Sequence, residues 1–219
     1  MSLTLEISDI HKSYDGKRVL RGCSFSFSEN GVYVLMGPNG SGKSTLFRLC
    51  ALLEHPDRGN ILYRAEDMPL PNDISLRRRI TLVLPKIGVF NTSVFHNVSY
   101  GLRLRDIRKK DYSACVERSL EFVGLSDRKE QNALTLSSGE TQRLGIARAI
   151  VIEPEILFLD EPAAFVDEEN KRIIEDIILR IKRNHESMVI ITTHDRAQAE
   201  RLGDRILLLQ NGKLVTVPE

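Results

Sequence analysis

The sequence predicts an α/β protein built on a largely parallel central sheet, and three observations carry that expectation. Short continuous apolar runs at 32–36, 156–159 and 188–192 read as strands buried on both faces. Amphipathic helical patterns separate them, clearest at Ile173, Ile174, Ile177, Ile178 and Ile181, which share one helical face. A Gly-rich segment joins the first buried run directly to a helix, as in a strand–loop–helix unit. With 219 residues, 42% hydrophobic and 28% charged, the chain suits one compact domain and does not read as disordered.

Along the chain, Leu3, Leu5 and Ile7 alternate as a strand, and a second strand runs from Val19 and Leu20 through Phe25 and Phe27. Asp15-Gly16 between them is a hairpin turn. After the strand at 32–36 the Gly-rich loop leads into a helix over 44–53. A turn at 56–59 precedes a short strand at 61–63, and a strand at 80–84 is halted by Pro85. From about 86 to 135 helical patterns dominate. Arg103, Arg105, Arg108, Lys109 and Lys110 there read as a solvated helical face. The strand–helix alternation resumes at 156–159 and continues through a helix at 197–202. Strands at 206–210 and 213–217 meet at an Asn211-Gly212 turn. There is no internal repeat.

Lysine plus arginine total 31 against 30 acidic residues, a formal charge of +1, so no basic surplus points to a nucleic-acid partner. No apolar run approaches the roughly 18 residues of a membrane span. The first twelve residues carry Glu6 and Asp9 and lack the apolar segment of a secretory signal. Cys23, Cys50 and Cys115 lie far apart without zinc-ligand spacing, and read as small buried hydrophobes of a cytosolic protein. Work at a membrane therefore requires a partner.

The Gly-rich loop, Gly37-Pro38-Asn39-Gly40-Ser41-Gly42-Lys43-Ser44-Thr45, fits G-x-x-x-x-G-K-[ST] in the context that pattern needs. Its glycines let backbone N–H groups turn inward around phosphate oxygens, and the following helix adds its positive end. Lys43 is placed to reach the β- and γ-phosphates, and Ser44 to ligate Mg²⁺. A second strand, 156–159, ends in Asp160-Glu161. Strand ends in such sheets border the ligand crevice. Asp160 can then hold Mg²⁺ through water, while Glu161 polarises an attacking water as general base.

Leu136-Ser137-Ser138-Gly139-Glu140 opens a further helix, with Ser137 and Glu140 spaced as a capping box. With this segment shortly before the two-carboxylate strand, and His194 after the next strand, the sequence resembles the ATP-binding cassette family over essentially its whole length. The resemblance implies a P-loop NTPase sheet core (1–84 and 141–219), an N-terminal antiparallel β subdomain, and a helical subdomain at about 85–140 that carries the signature motif. It implies that 37–45 is Walker A and 156–161 Walker B, with Glu161, His194 and Lys43 catalytic. Tyr14 then stacks on adenine beside Val19, and His194 contacts the γ-phosphate. Ser137, Ser138, Gly139 and Glu140 act on the ATP of a partner chain, and residues 164–167 form the D-loop. ATP is the substrate and Mg²⁺ the cofactor. The expected assembly is a head-to-tail homodimer, closed by ATP, on transmembrane permease subunits at the inner face of the cell membrane. An external solute-binding protein is a further candidate partner.

The chain departs from the family at one position of consequence. Where members place a glutamine after the strand at 80–84, this chain has Pro85 followed by Lys86, and its glutamines are Gln131, Gln142, Gln198 and Gln210. Proline has neither a side-chain amide nor an N–H. The expectation is that ATP still binds while hydrolysis or its coupling is weakened, or rerouted through Lys86 or a water. Residues 90–98 and 100–102 are similar to subunits that drive oxyanion uptake, so a solute importer is the leading expectation. The alternative is a nucleotide-gated regulatory or non-transport cassette protein with weak hydrolysis.

Overall fold

The structure, a computed structural model, describes residues 3–105, 109–184 and 187–216. Two sheets organise it. The first is antiparallel, with order β2-β1-β4-β5, formed by β1 (Leu3–Tyr14), β2 (Lys17–Phe27), β4 (Arg58–Ala65) and β5 (Met68–Pro69). The second has order β10-β9-β3-β8-β7-β6 and comprises β3 (Gly31–Met36), β6 (Ile80–Val83), β7 (Ile156–Asp160), β8 (Met188–Thr193), β9 (Arg205–Gln210) and β10 (Lys213–Thr216). All its pairings are parallel except the β9–β10 hairpin. The helices are α1 (Lys43–Cys50), α2 (Ile74–Arg77), α3 (Val94–Leu104), α4 (Lys109–Phe122), α5 (Ser138–Ile150), α6 (Glu168–Asn184) and α7 (Arg196–Leu202).

Strand alternation divides the interior into two cores. Val32, Val34, Leu157, Leu159, Val189 and Ile191 point to one face of the second sheet. They pack there with Ile174, Ile177 and Ile178 of α6, Ala199 and Leu202 of α7, and Val94, Val98, Val116 and Leu120 of α3 and α4. Tyr33, Leu35, Ile156, Phe158, Met188 and Ile190 point the other way, against Leu46, Phe47 and Leu49 of α1 and the inner face of the antiparallel sheet. The second sheet is thus covered on both sides, which its uninterrupted apolar strands required.

Several expectations hold in detail. Asp15 and Gly16 both take positive φ, 49° and 77°, as a type I′ turn demands. Ser93 caps α3 by accepting from the His96 N–H, and Ser137 and Glu140 form the full capping box of α5. Other boundaries moved. α1 stops at Cys50 rather than Leu53 because Leu52 adopts φ 59°, with Leu52 N–H donating to Leu49 O and Leu53 N–H to Arg48 O. That is a Schellman stop built on leucine, so the glycine that usually announces one is missing. β4 extends well beyond 61–63, and its hairpin to β5 turns on Glu66 and Asp67 at φ 50° and 62°. β5 carries no strand signal in the sequence, since two residues ending in Pro69 are tolerable only at a sheet edge. Nor does α2, a single turn capped by Asp73, carry a helical one.

The basic cluster is not uniformly solvated. Arg103 is exposed, but Arg105 is half-buried and donates to the carbonyls of Ile152 (3.0 Å) and Arg78. Its role is to tie the end of α3 to neighbouring backbone. Arg108 and the side chains of Lys109 and Lys110 lie outside the described residues. Cys23 and Cys50 are buried, and burial pushes the Cys23 thiol up to about 11. Cys115 differs from expectation in being half-buried, with the Arg118 guanidinium donating to its sulfur at 3.3 Å. Among the described residues no helix is long and apolar enough to cross a membrane.

Candidate functional site

The Gly-rich loop leaves the carboxyl end of β3, the strand flanked by both β8 and β9. The connections of a doubly wound sheet diverge at such a point, leaving a crevice for a ligand. Glycine is mandatory at two places. A Cβ on Gly37 would lie 2.5 Å from the Leu209 carbonyl oxygen, and one on Gly42, at φ 105°, would lie 2.8 Å from the Val19 side chain. Lys43 is only 5% exposed, and its ammonium donates to Gly37 O at 2.8 Å and to Pro38 O at 3.3 Å. The Ser41 hydroxyl, inside the same loop, is buried without a hydrogen-bond partner. A loop that wraps its own lysine while orphaning a hydroxyl is shaped for a polar guest.

β8 separates β3 from β7, so the end of β7 lies one strand away from the loop. Thr192 at the end of β8 donates to Asp160 Oδ1 at 2.6 Å and accepts from the Glu161 N–H at 2.8 Å, locking both acidic residues. Glu161 takes φ 47°, a left-handed conformation that costs energy outside glycine and is held here by that hydrogen bond. Its carboxylate lies between two basic side chains: Oε1 is 3.4 Å from Lys43 Nζ and Oε2 is 3.8 Å from His194 Nδ1. Residues 43, 161 and 194 thus meet at one point. An open cleft of ≈ 720 Å³ lies before them, bordered by Asn39, Ser44, Asp160, Glu161, Lys86 and Phe165 among others.

Asp160 is 1% exposed, yet its hydrogen-bond partner is a hydroxyl, and among the described residues no cationic side chain pairs with it. A buried carboxylate in that state fits a divalent cation. No cluster of three acidic, histidine or cysteine ligands occurs among the described residues. Ser44, half-buried at the start of α1 and bordering the same cleft, is the second candidate ligand.

The remaining candidates lie apart. Ser137 and Ser138 are exposed at the start of α5 and do not border the cleft. Glu140 accepts from the Ser137 N–H at 2.9 Å, and that bond, with Arg128 behind it, holds its carboxyl below the usual range. Gly139 is buried against Asn170 of α6, where a Cβ would fall 2.1 Å from the amide carbon. Asn170 cannot move freely, because Asp167 holds its backbone N–H at 2.8 Å and its amide at 3.0 Å. Gly139→Ala will therefore destabilise the fold by about 1–3 kcal/mol through overpacking. Thermal denaturation will read this as a fall of several degrees; an unchanged midpoint would refute the contact. Tyr14, at the end of β1, is 37% exposed, its hydroxyl bonded to Glu54 and its ring 5.4 Å from the Lys12 ammonium. It does not border the cleft, whereas Val19 does.

A family model for ABC transporters matches residues 20–164, about two thirds of the chain, from β2 through the loop, α5 and the acidic strand end. The chain belongs to the ABC transporter family. The tungstate uptake system ATP-binding protein TupC of Peptoclostridium acidaminophilum is 34% identical over 212 residues, covering 97% of each chain. The phosphate import ATP-binding protein PstB of Cytophaga hutchinsonii is 37% identical over 225 residues, covering 97% of this chain and 90% of its own. Among solved structures, cbiO1 from Clostridium perfringens, part of the ABC transporter complex cbiONQ, superposes with a TM-score of 0.84 at 27% identity. It covers 96% of this chain and 86% of its own.

Sequence reasoning missed two groups of this ABC transporter site. Thr192 organises both carboxylates, and its only signal was its place at a strand end two residues before His194. Arg48 borders the cleft and links Glu54, Tyr14 and Thr45, a convergence of residues 14, 45, 48 and 54 that no local spacing announces.

Proposed function

We propose that this chain is the ATP-hydrolysing subunit of a membrane importer for an inorganic oxyanion, working from the cytoplasmic face on permease subunits. The observation that carries the reading is the convergence of Lys43, Glu161 and His194 at the mouth of the loop. Relatives named for tungstate uptake and phosphate import support the solute class. The weakly hydrolysing regulatory alternative is not favoured, because general base, lysine and histidine stand together.

In this reading the backbone N–H groups of the loop, Pro38 having none, enclose the ATP phosphates. Lys43 exchanges its carbonyl partners for β- and γ-oxygens. Ser44 and Asp160 hold Mg²⁺, which supplies neutralisation of the phosphate charge. Glu161 accepts a proton from the attacking water, and His194 steadies the γ-phosphate. Tyr14 and Val19 flank the adenine, for which the Tyr14 side chain must turn toward the cleft. Ser137, Ser138, Gly139 and Glu140, remote from this chain's own loop, serve the ATP of a second copy. ATP contacts from both copies then favour the closed dimer, and hydrolysis removes them.

Ser137→Ala tests action across the dimer. Turnover will fall at least tenfold while the monomer keeps its ATP affinity, and wild-type specific activity will rise with protein concentration. Loss of monomer binding, or concentration-independent activity, would contradict a composite site.

A further inference from the structure

Three cationic side chains border the nucleotide cleft: Lys43, Arg48 and Lys86. Two are committed. Lys43 is held by two loop carbonyls and Glu161, and Arg48 Nε lies 2.6 Å from Glu54. Lys86 is exposed, and among the described residues no carboxylate pairs with it. Its position follows from the sheet. β6 runs parallel to β7 with Val83 opposite Leu159, so the chain beyond β6 leaves the sheet beside Asp160 and Glu161. Leu84, Pro85 and Lys86 all border the cleft. Leu84 offers no side-chain donor, and Pro85 offers neither a side-chain donor nor an N–H. Lys86 is therefore the first donor side chain on that edge of the cleft, and it sits on a flexible four-carbon stem.

We propose that Lys86 is a substrate-binding residue whose ammonium donates to an oxygen of the terminal phosphate of Mg-ATP. The inference rests on the ATPase reading above and extends it to a residue outside the phosphate loop. A triphosphate lying along the loop presents its terminal group toward Glu161, which borders the same cleft as Lys86. The charge that builds on the terminal phosphate during transfer to water is met by nearby cations, and Lys86 supplies one with no internal ion pair to break. It also distinguishes ATP from ADP, because ADP has no phosphate at that end.

The test is equilibrium titration of wild type, Lys86→Ala and Lys86→Arg with Mg-ADP and with a non-hydrolysable Mg-ATP analogue, alongside steady-state turnover. Loss of one charge-assisted hydrogen bond predicts about a tenfold weaker analogue affinity for Lys86→Ala. ADP affinity will be unchanged, and Lys86→Arg will restore most of the loss. An unaltered analogue-to-ADP ratio in Lys86→Ala, or an equal loss for both nucleotides, would overturn the assignment. Wild-type protein that binds neither nucleotide would instead overturn the ATPase reading itself, so the two failures are distinguishable.

Discussion

Glu161→Gln will abolish steady-state Mg-ATP hydrolysis while ATP remains bound, and the variant will accumulate as an ATP-bound dimer. Glutamine keeps the size of the side chain and the Thr192 hydrogen bond to the backbone N–H, so the strained φ of 47° is retained. What disappears is the proton acceptor. Removing a general base costs ~10²–10⁴-fold in rate. Affinity moves the other way. Glu161 stands 3.4 Å from Lys43 and neutralises it before ATP arrives, so an amide leaves that ammonium free for phosphate. Single-turnover hydrolysis and size-exclusion chromatography with Mg-ATP are the measurements. A variant turning over at about a tenth of the wild-type rate or more would remove Glu161 as the base.

Lys43→Ala will lose nucleotide affinity by roughly 10–100-fold, reflecting hydrogen bonds to charged groups worth ~1.5–3 kcal/mol. The loss is deepened by what remains. Without Lys43, the Glu161 carboxylate faces incoming phosphates with one cation fewer, and the carbonyls of Gly37 and Pro38 point into the cleft without their donor. Fluorescent-nucleotide titration reads the loss directly. Lys43→Arg will not rescue it, because the lysine is buried in a loop closed around a slender stem. Unchanged ATP affinity in Lys43→Ala would overturn the assignment of the loop.

Much of the architecture was legible because the signals were local. The uninterrupted apolar run at 32–36 needed cover on both faces and received it, and Asp15-Gly16 turned as its dihedrals require. Ser137 and Glu140 capped α5 through bonds spanning three residues. Errors came where a position tolerated an unusual residue. Leu52 ended α1 in a glycine's conformation, and Pro69 survived in a strand because β5 is an edge. Arg105 read as solvated because nothing nearby in sequence reveals the carbonyls of Ile152 and Arg78 that it meets.

The sequence by itself determined the chemistry on offer: a Gly-rich loop ending in lysine after a buried strand, two carboxylates ending another, and a capped helix between them in the chain. Each is a short-range pattern, because glycine freedom, strand periodicity and capping act over a few residues. Tertiary structure decided which groups meet. The strand order β3-β8-β7 brings Glu161 between Lys43 and His194, and lets Thr192 hold both acidic residues. It also left Ser137 away from its own chain's cleft and led Lys86 to the edge of it. Spacing along the chain carries no such information, since neighbours in a crossover sheet are set by connections that span more than a hundred residues from loop to carboxylate.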